Sequence, residues 1–295
     1  MRRVTILLTG AVLLFTSYSI SAQDQKKESL VMDGVYTRET IPQRIPIPYP
    51  HIREADMLWT KRIWRIIDLR EKMNHPLYYP TNRMQDRISL VQRLVDAIKY
   101  NEISAYDPIP DDEFTTLLSY SQVIKNFGAE DQTKTQPNPI TGRDTTITIK
   151  GDIAWSEVKE IMVKEEWFFD KQHSTMQVRI VGLCPIRQFY RTLQTGGGEE
   201  ATGELIKTKL FWIYFPEARK VLANTSVFND FNDAQRITFD DLFFKRRFSS
   251  YIIQETNVYN NRQIKEYTFG GVPNMQESDR IKNDMFTFEH DLWEY

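Results

Sequence analysis

Residues 41–80 read IPQRIPIPYPHIREADMLWTKRIWRIIDLREKMNHPLYYP, and they carry the most distinctive composition of this 295-residue chain. The first part of the stretch is a proline-spaced arm. The second part combines two tryptophans with isoleucines and basic residues. No residue in the stretch has the spacing of a catalytic motif. An extended arm joined to an aromatic segment is typical of a protein that docks onto a partner.

The arm has a restricted backbone because four prolines stand in nine residues, at Pro42, Pro46, Pro48 and Pro50. Each proline fixes φ and removes a backbone donor, which favours a polyproline II or an edge-like extended path. Two interpretations remain open: a rigid linker that lies across its own domain, or an arm that reaches a neighbouring subunit or a partner's groove. The second interpretation predicts these contact residues: Ile45, Pro46, Ile47, Pro48, Tyr49 and Pro50.

The segment after the arm is predicted to form an amphipathic helix. Its polar stripe consists of Lys61, Arg62, Arg65, Asp68 and Lys72. The opposing apolar stripe consists of Trp59, Ile63, Ile66, Ile67 and Met73, and Trp64 and Leu69 widen it. Such a broad apolar surface predicts contacts on more than one side. Trp59 and Ile63 fit an ordinary core, whereas Trp64 is the candidate for a partner contact because interfaces are enriched in aromatic residues.

The N-terminus has the pattern of a secretory signal peptide. Arg2 and Arg3 precede a mostly apolar run over residues 4–15, and small residues follow up to Ala22. The run is shorter than the roughly 20 apolar residues of a membrane-spanning helix. A twin-arginine signal fits the following residues poorly. We expect cleavage after Ser21 or Ala22, and we expect no lipid anchor because no cysteine lies near that site.

The composition argues against most kinds of enzyme. Cys184 is the one cysteine, so the chain cannot form an internal disulfide, and its apolar neighbours predict that it is buried. The formal net charge of −2 provides no basic footprint for nucleic acid. The four histidines lack metal-ligand spacing, and the motifs of serine nucleophiles, phosphate loops and dinucleotide sites are absent from the sequence. We predict no catalytic residue, metal site or cofactor.

The predicted fold class is α+β, with a helical N-terminal part followed by a mixed half that has an antiparallel sheet and C-terminal helices. Turn-forming residues over 129–144 form the best internal boundary. The predicted regions are a signal peptide over 1–22, a disordered start and proline-rich extended arm over 23–53, a helical region over 54–128 and a mixed α+β region over 145–295.

Further elements follow from periodicity and capping residues. Helices are predicted to start at Asn82, near Asp111, at Thr238 with an end near Glu255, and at Ser278 or Asp279. Strands are predicted over residues 145–150, 161–169, 176–183 and 209–215, with a hairpin loop at the glycine run 196–198.

The chain resembles the GldN family of gliding motility proteins, which includes PorN. The resemblance is carried by EAD over 54–56, WTKRIWRIIDLREKMN over 59–74, PLYYP over 76–80, DAQR over 233–236, TFDD over 238–241, FSSY over 248–251 and FEHDLWE over 288–294. It implies a periplasmic, non-enzymatic component of the Bacteroidetes type IX secretion system, with no catalytic or metal-binding residues to carry over.

The resemblance also implies partners. It implies a homo-oligomeric ring that forms with a GldK/PorK-type outer-membrane lipoprotein and contacts a GldM/PorM-type periplasmic motor component. The chain is then expected at the inner face of the outer membrane, held there through its partners, with no nucleic acid bound. An alternative from the residues themselves is a periplasmic module that binds a small ligand in a pocket lined by Trp155, Trp167 and Trp212.

Overall fold

The structure, a computed structural model, describes most of the chain after residue 42. The described residues are 43–84, 87–110, 112–129, 132–137, 144–149, 151–195, 198–229, 232 and 234–292, of which 132–137, 144–149, 191–195 and 198–202 are described by their backbone alone. The predicted signal peptide, the predicted disordered start and most of the predicted glycine loop lie outside them.

The described elements are mainly strands, with one long helix at the C-terminus. The helices are α1 (His75–Tyr78), α2 (Leu90–Lys99), α3 (Tyr120–Asn126), α4 (Phe215–Ala223), α5 (Phe239–Phe244) and α6 (Gly271–Asp291). The strands are β1 (Met57–Asp68), β2 (Ala105–Tyr106), β3 (Leu117–Leu118), β4 (Gln132–Pro137), β5 (Asp144–Ile149), β6 (Val158–Asp170), β7 (Thr175–Thr195), β8 (Gly198–Lys209), β9 (Trp212–Tyr214), β10 (Ser226–Val227), β11 (Ile237–Thr238) and β12 (Tyr251–Glu255).

Eight strands form one sheet in the order β12-β1-β6-β7-β9-β2-β3, and β8 pairs with β7 beside β9. Neighbouring strands run antiparallel wherever the structure describes a pair. β4 and β5 form a separate hairpin, and β10 and β11 form a short second one. The predicted α+β class with an antiparallel sheet and a C-terminal helix is confirmed.

The predicted helix after the arm is wrong, because residues 57–68 form the strand β1. β1 lies between β12 and β6, and its pairing with β6 runs from Met57 opposite Asp170 to Asp68 opposite Glu160. Both faces of this inner strand are covered, so the five residues 63–67 are all buried. A strand buried on both faces reads as a continuous apolar run, which periodicity cannot distinguish from a wide helical stripe.

Two other helices begin later than predicted. α2 begins after Ser89 and not at Asn82, because Ser89 and Gln92 form a reciprocal capping box. The helix predicted near Asp111 is replaced by the short strand β3 and then by α3. Phe114 has a φ of +59°, which is incompatible with a helix there.

The second half follows the predictions more closely. The strand predictions over 145–150, 161–169 and 176–183 are confirmed in β5, β6 and β7, although β5 ends at Ile149 and β7 extends to Thr195. The fourth prediction, over 209–215, is correct for Lys209 at the end of β8 and for β9, whereas α4 begins at Phe215.

The two C-terminal helices have bounds that differ from the prediction. α5 starts with the predicted Thr238 and Asp241 capping box, but it ends at Phe244, and residues 251–255 form β12 instead. α6 begins about two turns earlier than predicted, at Gly271. Its Ile281 and Met285 are buried, as the helical spacing indicates.

The two faces of the sheet carry different cores. Ile67 of β1 packs with residues of α2, α4 and α5, while Ile63 on the same face packs with α6. Trp64 and Ile66 point to the opposite face, where they pack with Cys184 and Trp212. Helices therefore cover one face, and the segment that contains Phe114 covers the aromatic side of the other.

Candidate interaction surface

The proline-spaced segment over residues 43–50, called the arm below, lies along its own subunit. At its start, the backbone N–H of Arg44 donates to Asn224 Oδ1 at 2.7 Å. The Arg44 guanidinium also pairs with Asp241, with 3.0 Å between Nη1 and Oδ2. These contacts attach the arm to the end of α4 and the first turn of α5.

The described part of the subunit from residue 56 onward is called the body below. Two arginines of the body donate to backbone carbonyls in the rest of the arm. Arg219 Nη1 donates to the carbonyl oxygen of Ile47 at 2.6 Å. Arg179 on β7 donates to the carbonyl oxygen of Pro50. Both guanidinium groups also lie over the ring of Tyr49, with Cζ to centroid distances of 4.6 Å for Arg219 and 5.1 Å for Arg179. Burial raises the pKa of the Tyr49 hydroxyl, so this ring stays neutral under ordinary conditions.

Arg219 also forms the buried ion pair beneath the arm. Its guanidinium donates to both carboxylate oxygens of Asp240, at 2.8 Å and 3.2 Å, and the two side chains are 5% and 10% exposed. The pair joins α4 to α5. One guanidinium therefore ties two helices together through Nε and Nη2 and presents its third nitrogen, Nη1, to the arm.

The arm turns its apolar side chains away from the body. Ile45 is 91% exposed and Ile47 is 65% exposed, and Phe244 on α5 is half exposed. The Arg219 guanidinium lies 5.8 Å from the Phe244 ring centroid, so Ile47 and Phe244 are on neighbouring parts of this surface. Of the other predicted contact residues, Pro48 and Pro50 are exposed, and Pro46 and Tyr49 are half buried.

The first interpretation of the arm, a segment that lies across its own domain, describes the structure. The second interpretation, contact with a neighbour or a partner, stays a prediction for residues 45–50. The residues that hold the arm were missed from the sequence. They are Arg179, Arg219, Asn224 and Asp241, which lie more than a hundred positions away along the chain. Local pattern contains no signal for contacts at that separation.

Trp64 does not belong to this surface. Its side chain is only 5% exposed and packs in the core on the other face of the sheet. Its indole N–H donates to Asp112 Oδ2, and Lys164 Nζ lies 5.7 Å from its ring centroid. The partner contact predicted for Trp64 rested on a helical exposure that β1 does not provide, so that interpretation is corrected.

The three tryptophans of the alternative ligand pocket lie apart in the structure. Trp155 packs against the large helical core, and Trp167 packs beside α6. Trp212 is fully buried on the opposite face of the sheet. Three tryptophans in three separate clusters cannot line one pocket.

The most buried carboxylate has no geometry for catalysis. Glu165 is fully buried between Arg65, at 3.1 Å, and Arg246, at 2.8 Å, and it also accepts from the indole N–H of Trp167. Because it is fully buried and held by these three partners, the carboxylate is not accessible to a substrate. Among the described residues, no group of three or more His, Cys, Asp or Glu side chains is arranged to hold a metal ion.

Comparison with protein families decides the relationship of the chain. The family model described as gliding motility associated protein GldN matches residues 52–294. The chain belongs to the GldN family. PorN is a name for the same family. The match begins at Ile52 and thus spans the whole sheet, whereas the arm over residues 43–50 precedes it.

Other comparisons add little to the family assignment. No curated protein matches the chain. GldN proteins are structural components of the gliding machinery and are not a known enzyme family. Within the described ranges, the structure has no helix long and apolar enough to cross a membrane.

Proposed function

We propose that this GldN-family chain is a periplasmic structural ring subunit of the Bacteroidetes type IX protein secretion and gliding motility machinery. The match of the GldN model to residues 52–294 carries the proposal. The subunit assembles with a GldK/PorK-type outer-membrane lipoprotein into a homo-oligomeric ring. It also contacts a GldM/PorM-type motor component, and its contact with the membrane is indirect.

The sequence supports an exported protein, because an N-terminal basic pair precedes an apolar run. In the proposed complex the chain is attached to the outer membrane through a partner. The lipoprotein of the proposed ring would supply that attachment.

The interaction surface supports an assembly role. Isolated exposed apolar residues are ordinary, but Ile45, Ile47 and Phe244 are neighbours on an arm and helix that arginine contacts hold in place. An ordered surface loses little conformational entropy when it docks. We assign this surface, with the predicted residues 45–50, as a contact to another subunit or to the lipoprotein.

The first experiment tests assembly in the native envelope. The chain carries an affinity tag, is extracted in mild detergent, and is analysed by size-exclusion chromatography and mass spectrometry. We expect a large complex that contains the lipoprotein, and we expect loss of secretion and gliding when the gene is deleted. Recovery of a lone monomer, together with intact secretion after deletion, would contradict the proposed function.

A second experiment tests the surface. Ile45→Asp combined with Ile47→Asp places two charges on it, and Val258→Asp is a matched control because Val258 is 90% exposed elsewhere on the subunit. We expect the double variant to lower recovery of the complex at least tenfold and the control to leave it unchanged. Equal recovery for both variants would remove residues 45 and 47 from the interface.

A further inference from the structure

Contacts at the surface hold the arm on its subunit. The arm of another copy of the chain could make the same contacts. None of its residues is fully buried, and its polar contacts with the body use Arg44 and the carbonyls of Ile47 and Pro50. The receiving site consists of Arg179, Arg219, Asn224 and Asp241, and is called the arm site below. Each copy of the chain carries one arm and one arm site.

A short exposed linker joins the arm to the sheet. His51, Arg53, Glu54 and Ala55 are exposed. Hydrogen bonds within the described linker are local, with Arg53 bonded to Asp56 and the carbonyl of Glu54 bonded to Met57. Beyond the linker, the chain is bonded to the rest of the subunit again at Asp56, whose carbonyl accepts from the backbone N–H of Lys171 at 2.9 Å. Five residues of extended chain span roughly 16–18 Å, so this linker can be redirected without disturbing β1.

From these contacts we infer that the arm is exchanged between neighbouring copies in the assembled protein. The arm of one subunit then occupies the arm site of the next. Exchange of an identical element is a low-cost route to association, because the interactions that break within one subunit form again with its neighbour. The proposed partner is therefore a second copy of this chain.

The proline spacing suits such an exchange. Pro46, Pro48 and Pro50 keep the arm extended whether it is docked or free, so docking orders few additional dihedral angles. Within an isolated subunit, the short linker keeps the arm's own site at high effective concentration. Exchange therefore requires an assembly that places a neighbour's arm site within reach of the linker.

The geometry of the exchanged contact fits a closed ring. The arm and the arm site are different surfaces, so an exchanged contact is heterologous, and a heterologous contact that closes generates a ring. The inference rests on the proposed function, because it requires that the chain assembles. It adds which segment joins neighbours and which four side chains receive it.

Engineered disulfides test the exchange. Arg44→Cys and Asn224→Cys are combined, since the backbone nitrogen of residue 44 lies 2.7 Å from the Asn224 side chain. Cys184 stays in place because it is fully buried. The assembled variant is oxidised, remaining thiols are blocked with a maleimide, and chains are separated on a non-reducing gel. Exchange predicts a ladder of covalent trimers and larger species, whereas an arm docked on its own subunit gives only monomers with an internal disulfide.

Controls make each outcome decisive. Each single variant has one engineered thiol and should give at most dimers. A mixture of the two single variants with different tags should give a mixed-tag disulfide dimer only if arms are exchanged, and thermal unfolding of each variant confirms that it is folded. Assembly of the wild-type chain is measured first. A ring whose disulfides are all internal overturns the exchange and leaves the proposed function standing. A wild-type chain found only as a monomer overturns the exchange, and together with intact secretion after deletion it overturns the proposed function as well.

Discussion

The ring of Phe114 lies directly against Gly182 in the middle of β7. A Cβ atom on Gly182 would come within 2.5 Å of Phe114 Cζ and 3.1 Å of the carbonyl oxygen of Ile213. The same ring makes edge contacts with Tyr106 and Trp212, at centroid distances of 5.4 Å and 5.9 Å. Because glycine at position 182 has no side chain, the segment before β3 can pack against this face of the sheet.

Gly182→Ala is expected to destabilise the fold by about 1–3 kcal/mol, because the added methyl group overpacks a closed contact. The measurement is urea unfolding followed by tryptophan fluorescence. Gly271→Ala is the matched control, since a Cβ there meets no atom within 4 Å. In a Phe114→Leu background the cost of Gly182→Ala should fall, and an unchanged cost would show that Phe114 is not the obstacle.

Arg219→Gln is expected to destabilise the subunit by about 3–5 kcal/mol. The substitution leaves the buried Asp240 carboxylate without its ion-pair partner, and a single buried charge is far more costly than a missing surface pair. Asp284→Asn is the comparison, because Asp284 forms an exposed pair with Arg280 and should cost less than about 1 kcal/mol. Chemical denaturation measures both, and similar losses would contradict a special role for the buried pair.

Ser89→Ala should cost about 1 kcal/mol, because the Ser89 hydroxyl accepts from the backbone N–H of Gln92 at the start of α2. Asn82→Ala, at the predicted but incorrect start of the helix, should change the free energy of unfolding by no more than about 0.5 kcal/mol. Urea unfolding of the two variants separates the two helix starts. A larger loss from Asn82→Ala would contradict the position of α2.

The stability of the protein should fall as the pH rises from about 10 to about 12. Burial, together with the nearby carboxylates of Glu160 and Asp68, raises the pKa of Tyr251 to about 12. An unfolded tyrosine has a pKa near 10, so the neutral ring stabilises the fold fully below about pH 10 and that stabilisation is lost above it. Tyr267 shows the same direction, with a pKa raised to about 12 by burial and by Glu277.

The tyrosine contribution is measured by urea unfolding at several pH values between about 9 and 11.5, a range that brackets the unfolded pKa of tyrosine. Tyr251→Phe should make the fall in unfolding free energy less steep across this range, and Tyr267→Phe should reduce it independently. A slope that neither substitution alters would show that other groups cause the alkaline loss.

Cys184 should resist thiol reagents in the folded protein. The side chain is fully buried, and burial raises the pKa of its thiol to about 12, so little reactive thiolate forms at neutral pH. Labelling with an aromatic disulfide reagent should be undetectable under native conditions and should reach one thiol per chain in concentrated urea. Rapid native labelling would contradict the burial of Cys184 in the cluster that contains Trp64 and Trp212.

Residues with a clear local signal were well predicted from the sequence. Alternation over 161–169 predicted β6, and the Thr238 and Asp241 pair predicted the start of α5. Ile281 and Met285 predicted the inward face of α6, and Cys184 was predicted to be buried. In each case the pattern lies within one helix or strand, so residues that are close in the sequence are enough to reveal it.

β1 shows where such signals fail. The spacing of Ile63, Ile66 and Ile67 satisfies a helical stripe, and only pairing with β6 and β12 makes these residues a strand. Their β-branched side chains, next to Trp64, were the one local indication of a strand. Burial on both faces removed the alternation that would have shown it.

Some features of the candidate interaction surface could be predicted from the sequence, and others depend on the fold. An extended arm over residues 43–50 could be predicted from the sequence, because proline restricts its own φ and needs no distant partner. The antiparallel strands of the second half and membership of the GldN family were also predictable, because their signals are contiguous in the chain. In contrast, strand pairing and packing in the folded chain make β1 a strand, bury Trp64, and place Arg179 and Arg219 against the arm. Those outcomes depend on contacts between residues far apart along the chain, whose energies no local pattern encodes.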